Sequence, residues 1–506
     1  MCLIIASRKS DLARLQAYMV GGAIKDKRPN IEIEYHFKSS LGDKNQDDPL
    51  WKMPSQGVFT EDFRSDLIAG KVDMVVHSWK DLPTEMSNDT ILAATLPRAD
   101  HRDLLLVKKS AIPNIKKVKS LKLLSSSPRR MFNLEDFLKQ AFPYGLNAVE
   151  FSDVRGNIQT RLNKMLEGKA DGLIVAKAAI DRLLTAGNFN QKNDSFDKSV
   201  KAIRTIVEQC EFMVLPASSN PPAAAQGALV VEIANGREGL ADILSEINCK
   251  QTFEDVKVER KILASYGGGC HQKIGVWVNE LEEGLVISLK GETDAGEKLN
   301  QFSLLVKKLM AKDVAQAEIF RSSKYNKLFA REPISISAES LEKIAKTDVL
   351  HLASPNIPDQ YIDAIDDQII WASGITSWFK FAAKGIWVNG VDDNLGSSAN
   401  RQLEILLNNS NPNWLTLTHE SSPSTPAIAT YKLVPNSTSL NYNGEQYFYW
   451  RSASAFRRAI ELEPEIKYGI HACGVGQSLA IIKEIVGDDG MVTPFISEED
   501  WLGQIS

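Results

Sequence analysis

The amino-acid sequence predicts an α/β protein built from several compact units. The chain has 506 residues, which is too many for one hydrophobic core. Short apolar runs alternate with helix-like stretches up to about residue 235, and similar alternation returns after about residue 315. Such alternation is typical of largely parallel sheets, which bind ligands at the carboxyl ends of their strands.

The predicted elements follow each other closely along the first part of the chain. The opening MCLIIASRKS reads as a buried strand rather than a signal sequence. Further strands are predicted at 31–37, 72–77, 104–108, 121–125, 148–152, 171–176 and 228–233. Helices are predicted at 11–24, 59–69, 129–140, 157–167 and 177–185.

Two polar stretches predict crossovers between units. RADHRD (98–103) leads out of the first unit, and PASSNPPAAAQG (216–227) leads back into it. A helix followed by alternating strands, GVWVNE and GLVISLKGE, then predicts a small α+β unit. We expect four regions, at 1–98 with 216–240, at 99–215, at 241–312 and at 315–506.

Charge and cysteine usage restrict the class of protein. The first 310 residues are slightly basic and the remainder is acidic, so neither part predicts a nucleic-acid-binding stripe. The 5 cysteines have no paired spacing, which favours free thiols in a reducing compartment and predicts no zinc site. Since no apolar run approaches membrane-spanning length, we expect a cytoplasmic protein.

Arginines recur where helices are expected to begin. In LLSSSPRRMFNLEDF, Ser127 is a suitable N-cap, Pro128 suits the first helical position, and Arg129 and Arg130 fall in the first turn. A helix dipole disfavours cations there, so an anion held by backbone N–H groups and guanidinium groups would explain them. A solvated basic turn is the alternative. Similar placements occur at Arg8 with Ser10 and at Arg155 with Gly156 and Asn157. Arg161 falls one turn into the following helix, and Arg182 lies toward the far end of the helix after strand 171–176.

A single acid enters this predicted cationic cleft. VDMVVHSWKDLP ends a strand and delivers Ser78, Lys80 and Asp81 to its carboxyl end. An aspartate among arginines is expected to stay ionised, so it could stabilise a developing cation and transfer protons. An ordinary surface Asp–Lys pair is the alternative.

A cysteine follows three glycines at Gly267-Gly268-Gly269-Cys270. By itself, such a residue is usually a small buried side chain in a tight turn. Glycines also let the backbone bend so that the sulfur can reach a cleft. In this sequence the arginines and the acid favour a thiol that anchors a ligand.

An ordered series of motifs resembles the hydroxymethylbilane synthase family, also called porphobilinogen deaminase, over about residues 1–310. The motifs are ASRKSDLARLQA, LGDKNQDDPL, QGVF, HSWKDLP, SSSPRR, VRGNIQTRLNK, AAAQGAL and GGGCHQKIG. The resemblance implies two periplasmic-binding-protein-like α/β domains and a small α+β domain that carries the cofactor loop. It also implies head-to-tail condensation of four porphobilinogens with loss of ammonia and hydrolytic release of a linear tetrapyrrole.

The same resemblance assigns roles to residues. Asp81 is the implied catalytic acid, and Cys270 is the implied thioether attachment site of a dipyrromethane cofactor. Lys52 matches a loop lysine, and Phe59 is expected near the reacting rings. The implied cofactor- and substrate-binding residues are Arg8, Ser10, Lys52, Phe59, Ser78, Lys80, Ser126, Ser127, Arg129, Arg130, Arg155, Gly156, Asn157, Arg161 and Arg182.

The sequence also departs from the family pattern. Leu41 stands where the family places an arginine, and Gln56 stands where a second loop lysine is usual. Leu124 and Pro128 replace the usual glycine and leucine around the double arginine, and the segment 187–210 is longer than usual. These departures are expected to affect closure of the active-site loop and the turnover rate more than the type of reaction that is catalysed.

The C-terminal region more weakly resembles uroporphyrinogen-III synthase, which cyclises the linear tetrapyrrole. The fragments VLHLASPN, IIWASGITSWFKFAAKGIWV, YFYWRSASAFRRAI and IHACGVGQSLAIIKEIVG predict a two-lobed α/β region. Its candidate substrate-contacting residues are Thr376, Ser377, Ser452 and Ser454, for which helix capping is the simpler role. A noncatalytic module is the alternative.

A solute-binding or ligand-sensing protein of the same two-lobed type is a further alternative, because fold does not determine function. Such a protein would need neither Asp81 nor Cys270. For the leading hypothesis, we expect porphobilinogen and the linear tetrapyrrole as ligands, a monomer, and no metal, membrane or nucleic-acid partner.

Overall fold

The structure is a computed structural model of the chain. It describes residues 1–39, 61–192, 194–268, 272–309, 312–320, 328–396, 401–436, 440, 442–487 and 491–505.

Within the described residues, the strands make up five separate sheets. They are β1 Cys2–Arg8, β2 Glu32–Lys38, β3 Met74–Ser78, β4 Thr90–Ala94, β5 Asp103–Lys108, β6 Ser120–Leu124, β7 Ala148–Ser152, β8 Gly172–Ala176, β9 Cys210–Val214, β10 Leu229–Ala234, β11 Gly275–Glu280, β12 Gly284–Glu292, β13 Lys298–Val306, β14 Ile319–Phe320, β15 Phe329–Pro333, β16 Val349–Leu352, β17 Ile369–Ala372, β18 Gly390–Val391, β19 Trp414–His419, β20 Ala427–Pro435, β21 Tyr447–Trp450, β22 Ile470–Gly474 and β23 Val492–Phe495.

Helices connect and cover these strands. They are α1 Asp11–Lys27, α2 Glu61–Ile68, α3 Ile112–Val118, α4 Pro128–Ala141, α5 Ile158–Lys164, α6 Lys177–Leu184, α7 Asp197–Glu208, α8 Glu238–Ser245, α9 Lys250–Ser265, α10 Ala338–Ala345, α11 Asp359–Ile362, α12 Ile375–Ala383, α13 Glu404–Leu407, α14 Ala453–Leu462, α15 Gln477–Val486 and α16 Glu498–Ile505. Among the helices that the structure describes, none has the length and apolarity needed to cross a bilayer.

Two five-stranded sheets form the first half of the molecule. Domain 1 is the name used here for the sheet β2-β1-β3-β10-β4 with its helices, and domain 2 for the sheet β7-β6-β8-β5-β9 with its helices. The chain leaves domain 1 after β4 and enters β5 directly. It returns through residues 215–228 into β10, so each domain is completed by a strand that arrives from the other.

The prediction of largely parallel sheets is only partly correct. β1 pairs in parallel with β2 and β3, but β10 runs antiparallel to β3 and β4. In the second sheet, β5 runs antiparallel to β8 and β9. A parallel neighbour needs a crossover that returns the chain to the same end of the sheet, and these two strands enter without one.

The third sheet is antiparallel, in the order β11-β12-β13, and α9 packs on β11. Domain 3 is the name used here for this sheet together with α9. Its edge strand β13 is exposed or half-buried along most of its length, and only Ser303 and Leu304 near its end are buried.

The C-terminal region has two α/β lobes, as its strand-like and helix-like fragments predicted. Lobe A contains the sheet β15-β20-β19-β16-β17-β18, and lobe B contains the parallel sheet β14-β21-β22-β23. The chain enters lobe B at β14, passes through all of lobe A, and returns to lobe B at β21. The two lobes are therefore joined by two chain crossings.

Candidate active site

A cleft of about 430 Å³ lies between domain 1 and domain 2. Its lining brings together residues from the carboxyl ends of β1, β3, β7 and β8 and from the helices that follow them. The sequence-predicted residues that line it are Arg8, Ser10, Ser78, Lys80, Asp81, Arg130, Arg155, Gly156, Asn157, Arg161 and Arg182.

Asp81 ends a single 3₁₀ turn that follows β3 directly. The turn is anchored by Trp79, which is 1 % exposed, and the Leu82 N–H donates to the Trp79 carbonyl at 3.2 Å. Arg260 of domain 3 donates to the carbonyls of Trp79 and Leu82 and to that of Pro83. These contacts hold the turn from behind, while the Asp81 side chain is exposed in the cleft.

Lys80 is the cation next to this acid. Its Nζ donates to Oε1 of Gln226 at 3.1 Å, and Gln226 lies on the returning crossover. Burial lowers the pKa of Lys80 to about 8, although the nearby Asp81 carboxylate acts in the opposite direction. The ammonium group can therefore lose its proton within the range in which enzymes are assayed.

Arg182 lies buried, and Arg161 half-buried, on the domain 2 side of the cleft. Burial lowers the pKa of each guanidinium to about 10, and for Arg161 the neighbouring Arg130 and Arg155 lower it further. Arg161 Nε donates to the Gly156 carbonyl at 2.8 Å, and Arg182 Nη2 donates to the Gly227 carbonyl at 2.7 Å. Within the described part of the chain, the buried Nε atoms of Arg130 and Arg182 have no hydrogen-bond partner. This surplus of cationic donors suits a ligand with several carboxylates.

Polar side chains at or near the helix starts form hydrogen bonds with backbone groups. Ser10, Ser127 and Asn157 cap α1, α4 and α5, each accepting from the N–H group three residues later. Ser126 Oγ donates to the Val154 carbonyl at 2.7 Å and accepts from the Val154 N–H at 2.8 Å. These residues fix the loops that present the arginines.

Arg129 does not line the cleft, and neither do the predicted residues Ser126 and Ser127. It is 4 % exposed and donates to Asn220 at 3.0 Å, to the Pro221 carbonyl at 2.6 Å and to Asp103 at 2.8 Å. Arg130 donates to the other Asp103 oxygen at 2.7 Å. Arg129 therefore ties α4 to the returning crossover, and Arg130 extends from the same carboxylate toward the cleft.

Asp103 is an important residue that the sequence analysis missed. Its buried carboxylate accepts from both arginines, from Asn220 at 2.9 Å and from Gln226 at 2.8 Å. Gln226 in turn accepts from Lys80, so one buried acid supports cations on both sides of the cleft. The only signal in the sequence was an acid inside the polar crossover RADHRD, next to the predicted strand 104–108.

The segment 187–210 packs against α1 of domain 1. Tyr18 Oη donates to Asp194 Oδ2 at 2.7 Å, and Arg14 also pairs with Asp194. Ser199 Oγ donates to Asp11 Oδ2 at 2.6 Å. This segment thus connects domain 2 to domain 1 beside the cleft.

Several predicted residues fall outside the described residues. These are Cys270, Lys52 and Phe59, together with the departures Leu41 and Gln56. The other two departures are placed: Leu124 is a buried residue at the end of β6, and Pro128 is the first residue of α4.

The glycines before Cys270 show where the loop begins. Gly267 and Gly268 have φ values of +96° and +62°, which favour glycine. A Cβ atom on Gly268 would lie 2.6 Å from Oγ1 of Thr84. Thr84 is three residues beyond Asp81, so the loop that leads to the cysteine starts beside the turn that carries the acid.

The hydroxyl residues selected in the C-terminal region lie at helix starts. Ser452 caps α14 by accepting from the Ala455 N–H at 3.2 Å. Thr376 and Ser377 lie in the first turn of α12, and Ser454 lies in the first turn of α14. Capping therefore accounts for Ser452.

Comparison with known proteins identifies the family of the first part of the chain. Residues 3–242 match the family model described as porphobilinogen deaminase, dipyromethane cofactor binding domain. The chain is 32% identical over 305 residues to the porphobilinogen deaminase of Clostridium novyi (strain NT), covering 92% of that protein and 60% of this chain. The chain belongs to the porphobilinogen deaminase family. It is also 33% identical over 279 residues to a probable porphobilinogen deaminase of Sulfurisphaera tokodaii, covering 82% of that protein and 55% of this chain.

Similar solved structures include binding proteins of ABC transporters. One is a putative sulfonate-binding protein from Methylobacillus flagellatus KT, with a TM-score of 0.27, 13% identity, and coverage of 52% of this chain and 69% of that one. Another is a probable amino-acid transporter binding protein from Bacillus subtilis, with a TM-score of 0.26, 11% identity, and coverage of 52% and 97%. The α/β fold class of the deaminase part follows from its own sheet orders.

Membership of the porphobilinogen deaminase family makes the first part of the chain a transferase of porphyrin and haem biosynthesis with a dipyrromethane-binding domain. The cleft fits such a group. The buried Nε atoms of Arg130 and Arg182 have no partner in the described structure, and both side chains line the cavity. An oligopyrrole with acetate and propionate side chains would supply the missing acceptors.

Proposed function

We propose that residues 1–310 join four porphobilinogen molecules head to tail with loss of ammonia and release the linear tetrapyrrole by hydrolysis. The observation that carries this proposal is the exposed acid Asp81 in a cleft whose lining also includes five arginines and Lys80. The second acid in the lining, Asp11, pairs with Arg14 and accepts from Ser199. The proposal includes the division of the chain at 1–98 with 216–240, 99–215, 241–312 and 315–506. It also includes a cytoplasmic location and a monomer.

The cationic residues are assigned to holding carboxylates. Arg8, Arg130, Arg155, Arg161 and Arg182 would bind the acetate and propionate groups of the cofactor and of the growing product. Cys270 would attach the dipyrromethane through a thioether, and Lys52 and Phe59 would contact ligand from the preceding loop. When bound, the dipyrromethane supplies the pyrrole carbon to which the first substrate is joined.

Asp81 is assigned to the chemical step. When the C–N bond of the porphobilinogen aminomethyl group breaks, ammonia leaves and an azafulvene cation remains on the substrate. The Asp81 carboxylate can stabilise this cation, and it can take up the proton that the pyrrole carbon loses after the new C–C bond forms. Lys80 and the arginines then act on carboxylates at the edge of the rings, where they do not oppose the cation.

Lys80 is expected to make substrate binding pH-dependent. Its pKa of about 8 means that the ammonium is present at pH 7 and largely lost at pH 9. If Lys80 binds a substrate carboxylate, the KM for porphobilinogen should rise about tenfold over this range, because roughly one lysine in ten stays protonated one unit above its pKa. Initial rates measured between pH 6.5 and 9.5 at several porphobilinogen concentrations give the KM as a function of pH.

The Lys80→Arg variant is the control for that pH profile, since a guanidinium stays charged throughout the range. Its KM should change less than twofold between pH 7 and pH 9. An equally steep rise in this variant would assign the pH dependence to another group.

Turnover of porphobilinogen tests the deaminase assignment directly. The purified full-length protein should consume porphobilinogen and release one ammonia per molecule consumed. A solute-binding or sensing protein with the same fold would bind porphobilinogen without releasing ammonia. Binding without ammonia release would therefore favour that alternative.

Cyclisation of the linear tetrapyrrole is the second candidate function, and it concerns the C-terminal region. Two α/β lobes joined by two chain crossings support it, because their strand ends approach each other. A Cβ atom on Gly396 after β18 would lie 3.0 Å from the Val475 carbonyl after β22.

Separating the uroporphyrinogen isomers formed from porphobilinogen tests the proposal. The type III isomer is expected from a working cyclase. Formation of the type I isomer alone would contradict the cyclase proposal and favour a noncatalytic C-terminal module.

A further inference from the structure

The C-terminal region shares a hydrophobic core with domain 2. Helix α4 packs on α12 of lobe A, with the Phe137 ring 5.4 Å from Trp378 and 5.7 Å from Phe379 between centroids. Trp378 is 0 % exposed, and its Nε1 donates to the Ala141 carbonyl at 3.0 Å. Buried side chains of the two sheets form one continuous cluster here. The outer face of α4 is thus an interior surface of the full chain.

Backbone hydrogen bonds continue this contact at the edge of the domain 2 sheet. The Val214 N–H at the end of β9 donates to the Asn389 carbonyl at 2.7 Å, next to β18. Asn389 Nδ2 and Trp387 Nε1 both donate to the Phe212 carbonyl, at 3.0 and 2.9 Å. The edge strand of domain 2 is therefore covered by lobe A.

Lobe B makes the corresponding contact with domain 3. Asp500 and Gln504 of α16 pair with the backbone of Leu304 on the edge strand β13, at 3.0 and 2.9 Å. Trp277 and Leu304 also share an apolar cluster with Leu395 of lobe A and Ile496 of lobe B. The C-terminal region thus connects domain 2 to domain 3, and the contacts named here do not involve the strands or helices of domain 1.

A buried polar network extends from lobe A to the cleft helix α6. Lys177, the first residue of α6, is 0 % exposed and donates from Nζ to the Gln402 carbonyl at 2.7 Å and to Asp181 at 2.6 Å. Its Nζ also lies 3.4 Å from Asp100. Gln402 has a φ of +45°, a left-handed conformation that few non-glycine residues adopt.

A second cation of domain 2 reaches the same segment. Arg102 pairs with Asp100 at 2.9 and 2.7 Å and donates to the Arg401 carbonyl at 3.1 Å. Two buried cations are thus satisfied by consecutive carbonyls of the C-terminal region. Helix α6 carries Arg182 into the substrate cleft, only five residues after Lys177.

From these contacts we infer that the C-terminal region is a structural part of the deaminase. It holds domains 2 and 3 as one unit, and the Gln402 carbonyl, acting through Lys177, positions the helix that presents Arg182. Lys177 is then a positioning residue for substrate binding. The effect on binding rests on the deaminase function proposed above, whereas the support of α6 does not.

The Lys177→Met variant of the full-length protein tests this inference, with Arg204→Met as the matched control. Arg204 on α7 donates to the carbonyls of Ile405 and Leu406, at 2.8 and 2.9 Å, in the same C-terminal stretch. Lys177→Met is expected to speed amide hydrogen exchange in 177–184 and to raise the KM for porphobilinogen about tenfold, with kcat changed less than twofold. Arg204→Met should speed exchange in 197–208 and leave the KM unchanged.

Two further variants separate positioning from general destabilisation. Lys177→Arg keeps a buried cationic donor and should recover most of the lost affinity. The double variant Lys177→Met with Asp181→Asn removes both charges together, which avoids an unpaired buried carboxylate if the single variant fails to fold. It should show the same exchange and KM changes.

Unchanged exchange in 177–184, or an equal rise in KM for Arg204→Met, would overturn the positioning role. If the wild-type protein does not consume porphobilinogen, the deaminase proposal fails, but the exchange measurement still decides whether Lys177 holds α6.

Discussion

Replacing Asp81 with asparagine is expected to lower kcat for porphobilinogen consumption by about 10²–10⁴-fold, the usual contribution of a positioned acid or base. Asparagine keeps the size of the side chain but removes the charge that would stabilise the substrate cation. Asp81 is exposed in the cleft, and its turn is held by Trp79 and Arg260. The thermal unfolding midpoint should therefore change little.

Glu85→Gln is the matched control for this variant. Glu85 is an exposed carboxylate four residues further along the chain, and it does not line the cleft. The Glu85→Gln variant should retain the wild-type kcat. Ammonia release measured under single-turnover conditions distinguishes a slow chemical step from slow product release. Retention of more than a tenth of wild-type kcat by Asp81→Asn would remove Asp81 from the catalytic role.

Replacing Asp103 with alanine is expected to lower the free energy of unfolding by about 3–5 kcal/mol, the usual cost of leaving a buried charge without its partner. Arg129 and Arg130 both lose their carboxylate, and they are 4 % and 8 % exposed. The loss should also raise the KM for porphobilinogen, because Gln226 connects Asp103 to Lys80. Denaturant unfolding and initial rates measure the two effects.

The stability that the Asp103 carboxylate contributes should depend on pH with a definite sign. Burial alone would raise the pKa of Asp103, but Arg129 and Arg130 hold it well below its usual range. Such a group stabilises the fold above the unfolded-state pKa of about 3.9, and the contribution is lost as the pH falls below that value. The difference in stability between wild type and Asp103→Asn should therefore shrink below about pH 4.

Asp73→Ala is the control for the Asp103 variant. Asp73 also accepts from an arginine, Arg237, and from a backbone N–H, that of Ile4, but its side chain is 20% exposed and remote from the cleft. The Asp73→Ala substitution should lower the free energy of unfolding by about 1 kcal/mol, the usual contribution of a hydrogen bond near the surface. A similar loss of stability in both variants would argue against the special importance of Asp103.

Local patterns in the sequence were sufficient for most elements of the deaminase part. The strand predicted at 148–152 is β7, and Ser127 with Pro128 begins α4 as expected. These features depend on neighbours in the chain, through capping and side-chain alternation. The antiparallel direction of β5 and β10 could not be predicted in this way, because it depends on where each crossover enters a sheet.

The site was predictable where a motif lies at a strand end and less so where long-range contacts form it. Asp81 and most of the arginines meet in the cleft because carboxyl ends of strands from both domains face it. Asp103 and Gln226 are 123 positions apart in sequence, and only folding brings them into contact. Likewise, nothing near Arg129 in the sequence indicates that its partners are Asn220 and Pro221 on the returning crossover.

An intact mass of the purified protein under denaturing conditions tests the deaminase assignment most directly. We expect wild type to exceed the mass of its sequence by one dipyrromethane and Cys270→Ala to show the sequence mass alone. Cys249→Ala, which removes another free thiol, should keep the added mass. A wild-type protein at its bare sequence mass, or a Cys270→Ala variant that retains the addition, would contradict the covalent cofactor at Cys270.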